Sequence, residues 1–213
     1  MNAAIFSVLS FFVVTALAKP QAVTCGSVVK LMNNVHKIRL HSHDVKYGSG
    51  SGQQSVTGVH DKEDVNSHWT IKGPEDKNYC KRGEPVECGQ KIRLEYLTTH
   101  RNLHSHHFSS PLSNSQEVSA YGDGGSGDSG DVWSVMCEGD WWVRGDNVML
   151  KHVDTGAYLA ASGQTFGRPI NGQMEIVGTS RPDGTTKWRT QEGVYVHPSD
   201  FDPKQKYGGH DEL

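Results

Sequence analysis

The feature that most constrains the fold is an internal repeat that occurs three times along the chain. Each copy contains the pattern Gly-x-x-(Val/Ile)-x-Leu, and a second leucine follows fourteen residues after the glycine. A glutamine and then a tryptophan complete each copy. Repeated units of this length are single supersecondary structures that need their neighbours for stability. The apolar residues that mark the repeats are Leu31, Leu40 and Trp69, then Leu94, Leu103 and Trp133, then Leu150, Leu159 and Trp188.

Within each copy the pattern is typical of short strands and turns. Apolar pairs such as Val29, Leu31 and Ile38, Leu40 are separated by Gly, Asn, Asp, Ser or His, and no long window has helical periodicity. A unit this small buries only one face of a couple of hairpins, so three units must share a core. We therefore predict an all-β, closed, pseudo-threefold barrel. Its three tryptophans are expected to pack in the core rather than to stack on a ligand.

The two ends of the chain carry patterns typical of targeting signals. An apolar run from Ile5 ends in Ala16-Leu17-Ala18, the small-x-small pattern that precedes signal-peptide cleavage, so residues 1–18 are predicted to be a signal peptide. The run is shorter than the roughly 20 apolar residues of a membrane-spanning helix. An uncleaved membrane anchor is the alternative.

The chain stops at His210-Asp211-Glu212-Leu213, an HDEL sequence. HDEL at a C-terminus is an address read by the HDEL/KDEL retrieval receptor. Together with the signal peptide it predicts a protein of the endoplasmic reticulum lumen that has no membrane anchor. A net charge of −3 gives no reason to expect nucleic acid binding.

The repeats also resemble a known family. The first two read Leu40-His41-Ser42-His43 and Leu103-His104-Ser105-His106, each followed by a glutamine (Gln54, Gln116) and the tryptophan, and this pattern resembles the MIR repeat. The third departs from it, with Leu159-Ala160-Ala161-Ser162. Three MIR repeats between a signal peptide and HDEL resemble the stromal cell-derived factor 2 family, and the resemblance covers roughly residues 25–193.

This resemblance implies a β-trefoil fold and a role beside chaperones. We expect one domain over residues 19–195, with repeats near 25–80, 88–139 and 144–193, and a tail over 196–213 that carries HDEL. The implied function is that of a non-catalytic chaperone cofactor. It would bind misfolded or nascent client proteins together with a DnaJ-class cochaperone and the luminal Hsp70, preventing their aggregation.

The rival interpretation is a carbohydrate-binding module, because β-trefoils commonly bind glycans and MIR repeats also occur in protein O-mannosyltransferases. Against it, the Gln-x-Trp signature of ricin-type lectin repeats is missing, since each glutamine stands well upstream of its tryptophan. The partner-binding residues are not identified by any motif. Because binding surfaces are commonly built on loops, residues 45–60 and 107–131 are the candidate segments.

Four cysteines in a luminal chain indicate two disulfides. Cys25 and Cys88 directly precede the equivalent glycines of the first two repeats, so they are not expected to bond to each other. Cys80 and Cys137 each follow the tryptophan segment of their repeat. The simplest arrangement is therefore Cys25–Cys80 with Cys88–Cys137. Cys25–Cys137 with Cys80–Cys88 remains open.

Histidines and acidic residues raise the question of a metal site. His41 and His43 lie on one face of a predicted strand, as do His104 and His106, with His107 beside them, and this spacing permits zinc. Because the family motif accounts for these histidines, we expect a structural or solvated role and no metal. The loop from Gly122 to Asp131 lacks the order of an EF-hand, so we expect a mobile acidic loop there rather than a calcium site.

The sequence contains none of the catalytic motifs that we looked for. There is no Gly-x-Ser-x-Gly elbow, no phosphate-binding glycine loop, no His-Glu-x-x-His and no Cys-x-x-Cys. We therefore expect no catalytic residues and no cofactor. A glycosidase-type pair of carboxylates is the alternative that the sequence leaves open.

Overall fold

The computed structural model describes residues 21–74, 80–170 and 172–197. The predicted signal peptide and the HDEL terminus lie outside these residues. The described residues form twelve strands: β1 (Val28–Asn33), β2 (Arg39–Lys46), β3 (Gln54–Val59), β4 (Trp69–Lys72), β5 (Lys91–Tyr96), β6 (Asn102–Ser109), β7 (Gln116–Tyr121), β8 (Trp133–Met136), β9 (Met149–His152), β10 (Tyr158–Thr165), β11 (Met174–Thr179) and β12 (Trp188–Val194). Three short 3-10 helices precede β4, β8 and β12; they are Val65–Ser67, Ser129–Asp131 and Gly184–Thr186.

Six of the strands close into a barrel. β1 pairs with β12 and β4, β4 with β5, β5 with β8, and β8 with β9, all antiparallel. A bridge between Val148 and Trp188 joins β9 to β12 and completes the ring. The other six strands form the hairpins β2–β3, β6–β7 and β10–β11, and β3, β7 and β11 pair with one another across one end of the barrel. This arrangement confirms the predicted β-trefoil.

The predicted repeat leucines and tryptophans form the core. All nine are fully buried, so the expectation that the tryptophans pack inside the barrel is confirmed. Each indole also makes the same hydrogen bond, from Nε1 to the carbonyl oxygen of the second leucine of its repeat, at 2.8 to 2.9 Å. A buried indole N–H needs a partner, and the threefold frame supplies it in every repeat. The pairs are Trp69 with Leu40, Trp133 with Leu103, and Trp188 with Leu159.

Three backbone segments close the barrel at the end opposite the hairpins. Val86 N donates to Val23 O at 2.9 Å, Val23 N donates to Trp142 O at 2.7 Å, and Trp142 N donates to Val86 O at 2.9 Å. These bonds form a ring around the pseudo-threefold axis, and the three side chains are fully buried. Each segment precedes the first strand of its repeat. The three repeats are therefore joined through the backbone as well as through the core.

The disulfides tie two of these segments to the barrel. Cys25 is bonded to Cys80 and Cys88 to Cys137, which is the simplest arrangement predicted from the repeats. The third repeat has Arg144 at the equivalent place. Its guanidinium carbon lies 3.8 Å from the centre of the Tyr195 ring, a cation–π contact. Within the described residues, no helix is long and apolar enough to cross a membrane.

Candidate binding groove of the second repeat

The histidine motif of the second repeat is built around a buried, hydrogen-bonded histidine–aspartate pair. His104 and His106 lie on the same face of β6, with ring centres 5.0 Å apart. His104 Nδ1 lies 2.9 Å from Asp131 Oδ1, and the Asp131 side chain is fully buried. The ring of His104 also packs against Tyr121, with centres 4.8 Å apart. The pair therefore fixes the orientation of His104 beneath the protein surface.

Asp131 belongs to the acidic loop, and it orders the end of that loop. Its Oδ2 accepts hydrogen bonds from Asn102 Nδ2 at 3.2 Å and from the backbone N of Asp128 at 2.9 Å. Asp128 in turn caps the second 3-10 helix by accepting from Gly130 N at 2.8 Å. A capping box of this kind satisfies donors that a helix start leaves free. The loop prediction did not include this helix.

The first repeat has a related histidine–aspartate pair, in which a serine hydroxyl also binds the carboxylate. His41 Nδ1 lies 2.8 Å from Asp64 Oδ2, and Ser67 Oγ donates to the same oxygen at 2.5 Å. Burial alone would raise the pKa of Asp64, but the hydrogen bonds from Ser67 and His41 outweigh it, so this pKa lies below its usual value. His43 Nδ1 is 2.9 Å from His41 Nε2. The paired and largely buried histidines fit the structural role expected for them, and Ala160 takes this place in the third repeat.

A surface groove runs along the boundary between the first and second repeats. Its volume is 480 Å³, and it is lined by Lys46, Gln53, Gln54, Arg101, Tyr121 and Asp123, among others. We refer to it as the repeat-two groove. A second cleft of 510 Å³ shares Gln53 and Tyr121 with it and continues over His104, His106, Asp128 and His152. The candidate segments 45–60 and 107–131 are thus brought together here.

The walls of the groove are held by buried polar contacts. Glu117 is fully buried in β7, and it accepts hydrogen bonds from the backbone N and the hydroxyl of Ser51, at the tip of the first hairpin. Its Oε1 also lies 3.0 Å from His106 Nε2. On the other side, Arg101 donates to Gln54 Oε1 at 2.8 Å. These contacts preorganise the groove, so a ligand would meet a surface that is already formed.

Among the described residues, the other repeat boundaries lack this combination of side chains. Between the second and third repeats lies a cleft of 360 Å³, where Thr179 takes the place of Tyr121 and Ala157 the place of Arg101. Between the third and first repeats, the place of Arg101 is taken by Ile38, which is fully buried against Gly58. Tyr121 has 38% of its surface exposed. An exposed aromatic ring between amide and charged groups is therefore specific to the repeat-two groove among these boundaries.

One further histidine links neighbouring repeats. His152, at the end of β9, has its Nε2 2.8 Å from the carbonyl oxygen of Gly130 and its Nδ1 2.8 Å from Thr155 Oγ1. Burial lowers the pKa of His152 below its usual value. The equivalent residue of the first repeat is Asn33, whose Nδ2 donates to Thr185 O at 2.6 Å. Both side chains attach the end of a barrel strand to the 3-10 helix of the preceding repeat.

Comparison with known proteins agrees with this architecture. The MIR domain model matches residues 30–140. Stromal cell-derived factor 2 of Mus musculus is 54% identical over 179 residues, which cover 84% of this chain and 84% of that protein. The chain belongs to the stromal cell-derived factor 2 family.

Solved structures of relatives extend this comparison. The crystal structure of the stromal cell-derived factor 2-like protein from Arabidopsis thaliana has a TM-score of 0.82 at 41% identity, covering 84% of this chain and all of that one. The S. cerevisiae protein O-mannosyltransferase Pmt1-Pmt2 complex, solved with its sugar donor, has a TM-score of 0.72 at 26% identity. That match covers 85% of this chain and 28% of the transferase chain. The MIR fold of the stromal cell-derived factor 2 family is therefore shared with part of a mannosyltransferase.

In this family member the sequence placed Gln53 and Tyr121 only within the candidate segments 45–60 and 107–131, and it gave no signal for Arg101. Neither Tyr121 nor Gln53 belongs to a motif, and they are brought together only by the pairing of β3 with β7. Asp64, Asp128 and Asp183 do carry a signal, because each stands five residues before a repeat tryptophan. Each is the N-terminal cap of a 3-10 helix. That spacing marks the starts of the three helices, but it gives no signal for Asp131, whose equivalents in the other repeats are Ser67 and Thr186.

Proposed function

We propose that this protein is a non-catalytic chaperone cofactor of the endoplasmic reticulum lumen. It would hold misfolded or nascent clients together with a DnaJ-class cochaperone and the luminal Hsp70, and it would limit their aggregation. Membership of the stromal cell-derived factor 2 family supports a binding role. The observation that carries the proposal is the repeat-two groove, because it is open, preformed and lined by groups that form hydrogen bonds.

The chemistry of the groove suits an extended polypeptide segment. Gln53 and Gln54 offer side-chain amides, and an amide both donates to and accepts from a peptide backbone. Lys46 and Asp123 place both signs of charge in the lining. The exposed ring of Tyr121 supplies an apolar face for a client side chain. Weak contacts of this kind gain strength when a second client-binding protein is held beside them, through effective concentration.

A client aggregation assay with purified components tests this proposal. The protein should slow aggregation without nucleotide, and more so when the DnaJ-class cochaperone is present. Tyr121→Ala should weaken the effect, whereas Thr179→Ala, at the equivalent position of the third repeat, should not. If the intact protein has no effect, alone or with the cochaperone, the proposal is wrong.

The second candidate function is carbohydrate binding, and the same groove favours it. An exposed aromatic ring beside amide, guanidinium and carboxylate groups is a suitable platform for a sugar ring, and the related mannosyltransferase structure holds a sugar donor. Binding to O-mannosylated or other glycans on an array, lost in Tyr121→Ala and kept in Thr179→Ala, would favour this function. Copurification of the intact protein with luminal chaperones from crosslinked cells would favour the cofactor.

Localisation is a separate part of the proposal. The retrieval receptor reads the last four residues, so a chain without residues 210–213 should be secreted. Immunoblotting of medium and cells, with the intact chain as the control, measures this. A truncated chain that stays inside the cell as fully as the intact one would refute retrieval by HDEL.

A further inference from the structure

The structure brings three potential metal ligands together in the second repeat. His104, Asp128 and Asp131 each offer one ligand atom, and these atoms all lie within 4.8 Å of one another. His104 Nδ1 is 2.9 Å from Asp131 Oδ1 and 3.6 Å from Asp128 Oδ1. Bonds of about 2.1 Å to a tetrahedral ion place ligand atoms about 3.4 Å apart. The two distances lie on either side of that value, so small side-chain shifts would let one ion contact all three groups.

The carboxylate at the centre is already oriented for such a role. Asp131 uses Oδ2 to accept from Asn102 and from the backbone of Asp128, which leaves Oδ1 directed at His104. Hydrogen bonds that fix a ligand in this way are typical of metal centres. The imidazole of His104 is fixed as well, because it packs between Tyr121 and His106.

The amide of Asn102 supports the site from its buried side. Asn102 is fully buried, and its Oδ1 has no hydrogen-bond partner among the described residues. The Nδ2 of the same amide donates to Asp131 Oδ2, so Asn102 lies directly beside one of the three ligands and holds its carboxylate in place.

The site is open on one side. Asp128 has 54% of its side chain exposed, and both His104 and Asp128 line the 510 Å³ cleft next to the repeat-two groove. We propose that His104, Asp128 and Asp131 form a binding site for a divalent transition metal, with Zn²⁺ as the ion. Imidazole nitrogen and carboxylate oxygen are ligands that Zn²⁺ accepts, and three protein ligands leave a position open toward the cleft. On binding, the ion takes the place of the proton on His104 Nδ1, and that proton passes to solvent.

The first repeat provides a matched control for this site. His41 occupies the position equivalent to His104, but Ser67 stands where the second repeat has Asp131. The first repeat therefore offers His41 and Asp64 with no second carboxylate in that position. A site that depends on two carboxylates should exist in the second repeat and be absent from the first.

The experiment uses the full chain, stripped with a chelator and titrated with Zn²⁺ alone by calorimetry. Co²⁺ absorption bands report the coordination directly. Asp128→Asn is the key variant, because asparagine preserves the helix cap and removes a charged ligand. We expect one Zn²⁺ per chain in the intact protein. Affinity should fall at least about tenfold in Asp128→Asn and in His104→Gln, since loss of even an outer-shell partner costs that much.

His41→Gln should bind as the intact protein does. Equal losses in His41→Gln and His104→Gln would overturn the proposal, because they would indicate nonspecific binding by surface histidines. Unchanged affinity in Asp128→Asn would also overturn it. If His104→Gln does not fold, movement of the His104 NMR signals on addition of Zn²⁺ to the intact protein replaces it. Absence of movement in those signals refutes the site.

Discussion

The second and third repeats have the same frame but differ in their polar side chains. Leu103 and Trp133 of the second repeat make the same buried hydrogen bond as Leu159 and Trp188 of the third. Yet His104 is paired with a carboxylate in the second repeat, and Ala160 replaces it in the third. The pairing of strands and the apolar core therefore do not need the histidines. The third repeat forms the complete frame without these polar groups.

This difference identifies the side chains on which the proposed functions depend. The exposed ring of Tyr121 and the His104–Asp131 pair belong to the second repeat, whereas the buried Glu117 has a buried counterpart in the third, Glu175. In the third repeat the positions of Tyr121 and His104 hold Thr179 and Ala160. If the third repeat served mainly to complete the barrel, changes there would alter stability alone. The predictions that follow test this division.

The largest effect is expected from the disulfide that only the first two repeats possess. Replacing both Cys88 and Cys137 by serine opens a loop with a sequence separation of 49 residues, which should lower the free energy of unfolding by about 4 kcal/mol. Arg144→Ser removes the contact that replaces the disulfide in the third repeat, at a cost of about 1 kcal/mol. Urea unfolding measures both. Equal losses of unfolding free energy in the two variants would show that the Arg144 contact closes the third repeat as effectively as the disulfide closes the second.

The tryptophans test the part of the frame that the repeats share. Trp133→Phe and Trp188→Phe each remove an indole N–H from a buried carbonyl and leave a small cavity, so each should cost about 2 to 3 kcal/mol. Because the geometry is the same, the two losses should agree to within about 0.5 kcal/mol in the same unfolding assay. A much smaller loss for Trp188 would mean that the third repeat is packed less tightly.

Replacing His104 by alanine, the residue that the third repeat has at Ala160, should lower the free energy of unfolding by less than the tryptophan changes do. His104→Ala leaves the fully buried Asp131 without its nearest partner, and we expect a loss of about 1 to 2 kcal/mol. His41→Ala should cost less, because Asp64 is partly exposed and keeps its hydrogen bond from Ser67. Thermal and urea unfolding of both variants decide this. A larger loss for His41→Ala would contradict the assigned environments.

The smallest expected effect is on the pH dependence of stability, and it comes from His152 in the third repeat. Burial lowers the pKa of His152, so its contribution to stability is present above the usual histidine value of about 6.5 and is lost as pH falls toward the folded-state value. His152→Asn, which introduces the residue that the first repeat has at Asn33, should reduce this dependence. Some dependence should remain, because burial and His41 also lower the pKa of His43. Unfolding at about pH 7.5 and about pH 5.5 measures the difference. An unchanged slope would show that His152 does not titrate in this range.

The frame could be predicted from the sequence because it depends on residue type and spacing. Leu40 and Trp69, with their counterparts, recur at intervals that only a shared core explains. The ring formed by Val23, Val86 and Trp142 could not be predicted, because its hydrogen bonds join backbone atoms and leave no side-chain signature. The repeat-two groove could be predicted only as the two segments 45–60 and 107–131. That Tyr121 of one repeat would meet Gln53 of another could not, because the tyrosine recurs in neither of the other repeats.

The ends of the described chain lie side by side at the ring end of the barrel. Thr24 Oγ1 donates to Val196 O at 2.5 Å, and Val196 N donates to Ser27 Oγ at 3.0 Å. A domain whose entry and exit points touch can be placed within a loop of another protein without stretching that loop. The mannosyltransferase chain, in which the matching region is 28% of the length, is consistent with such an insertion. The same geometry makes this trefoil a good candidate for circular permutation, with new termini at a hairpin tip.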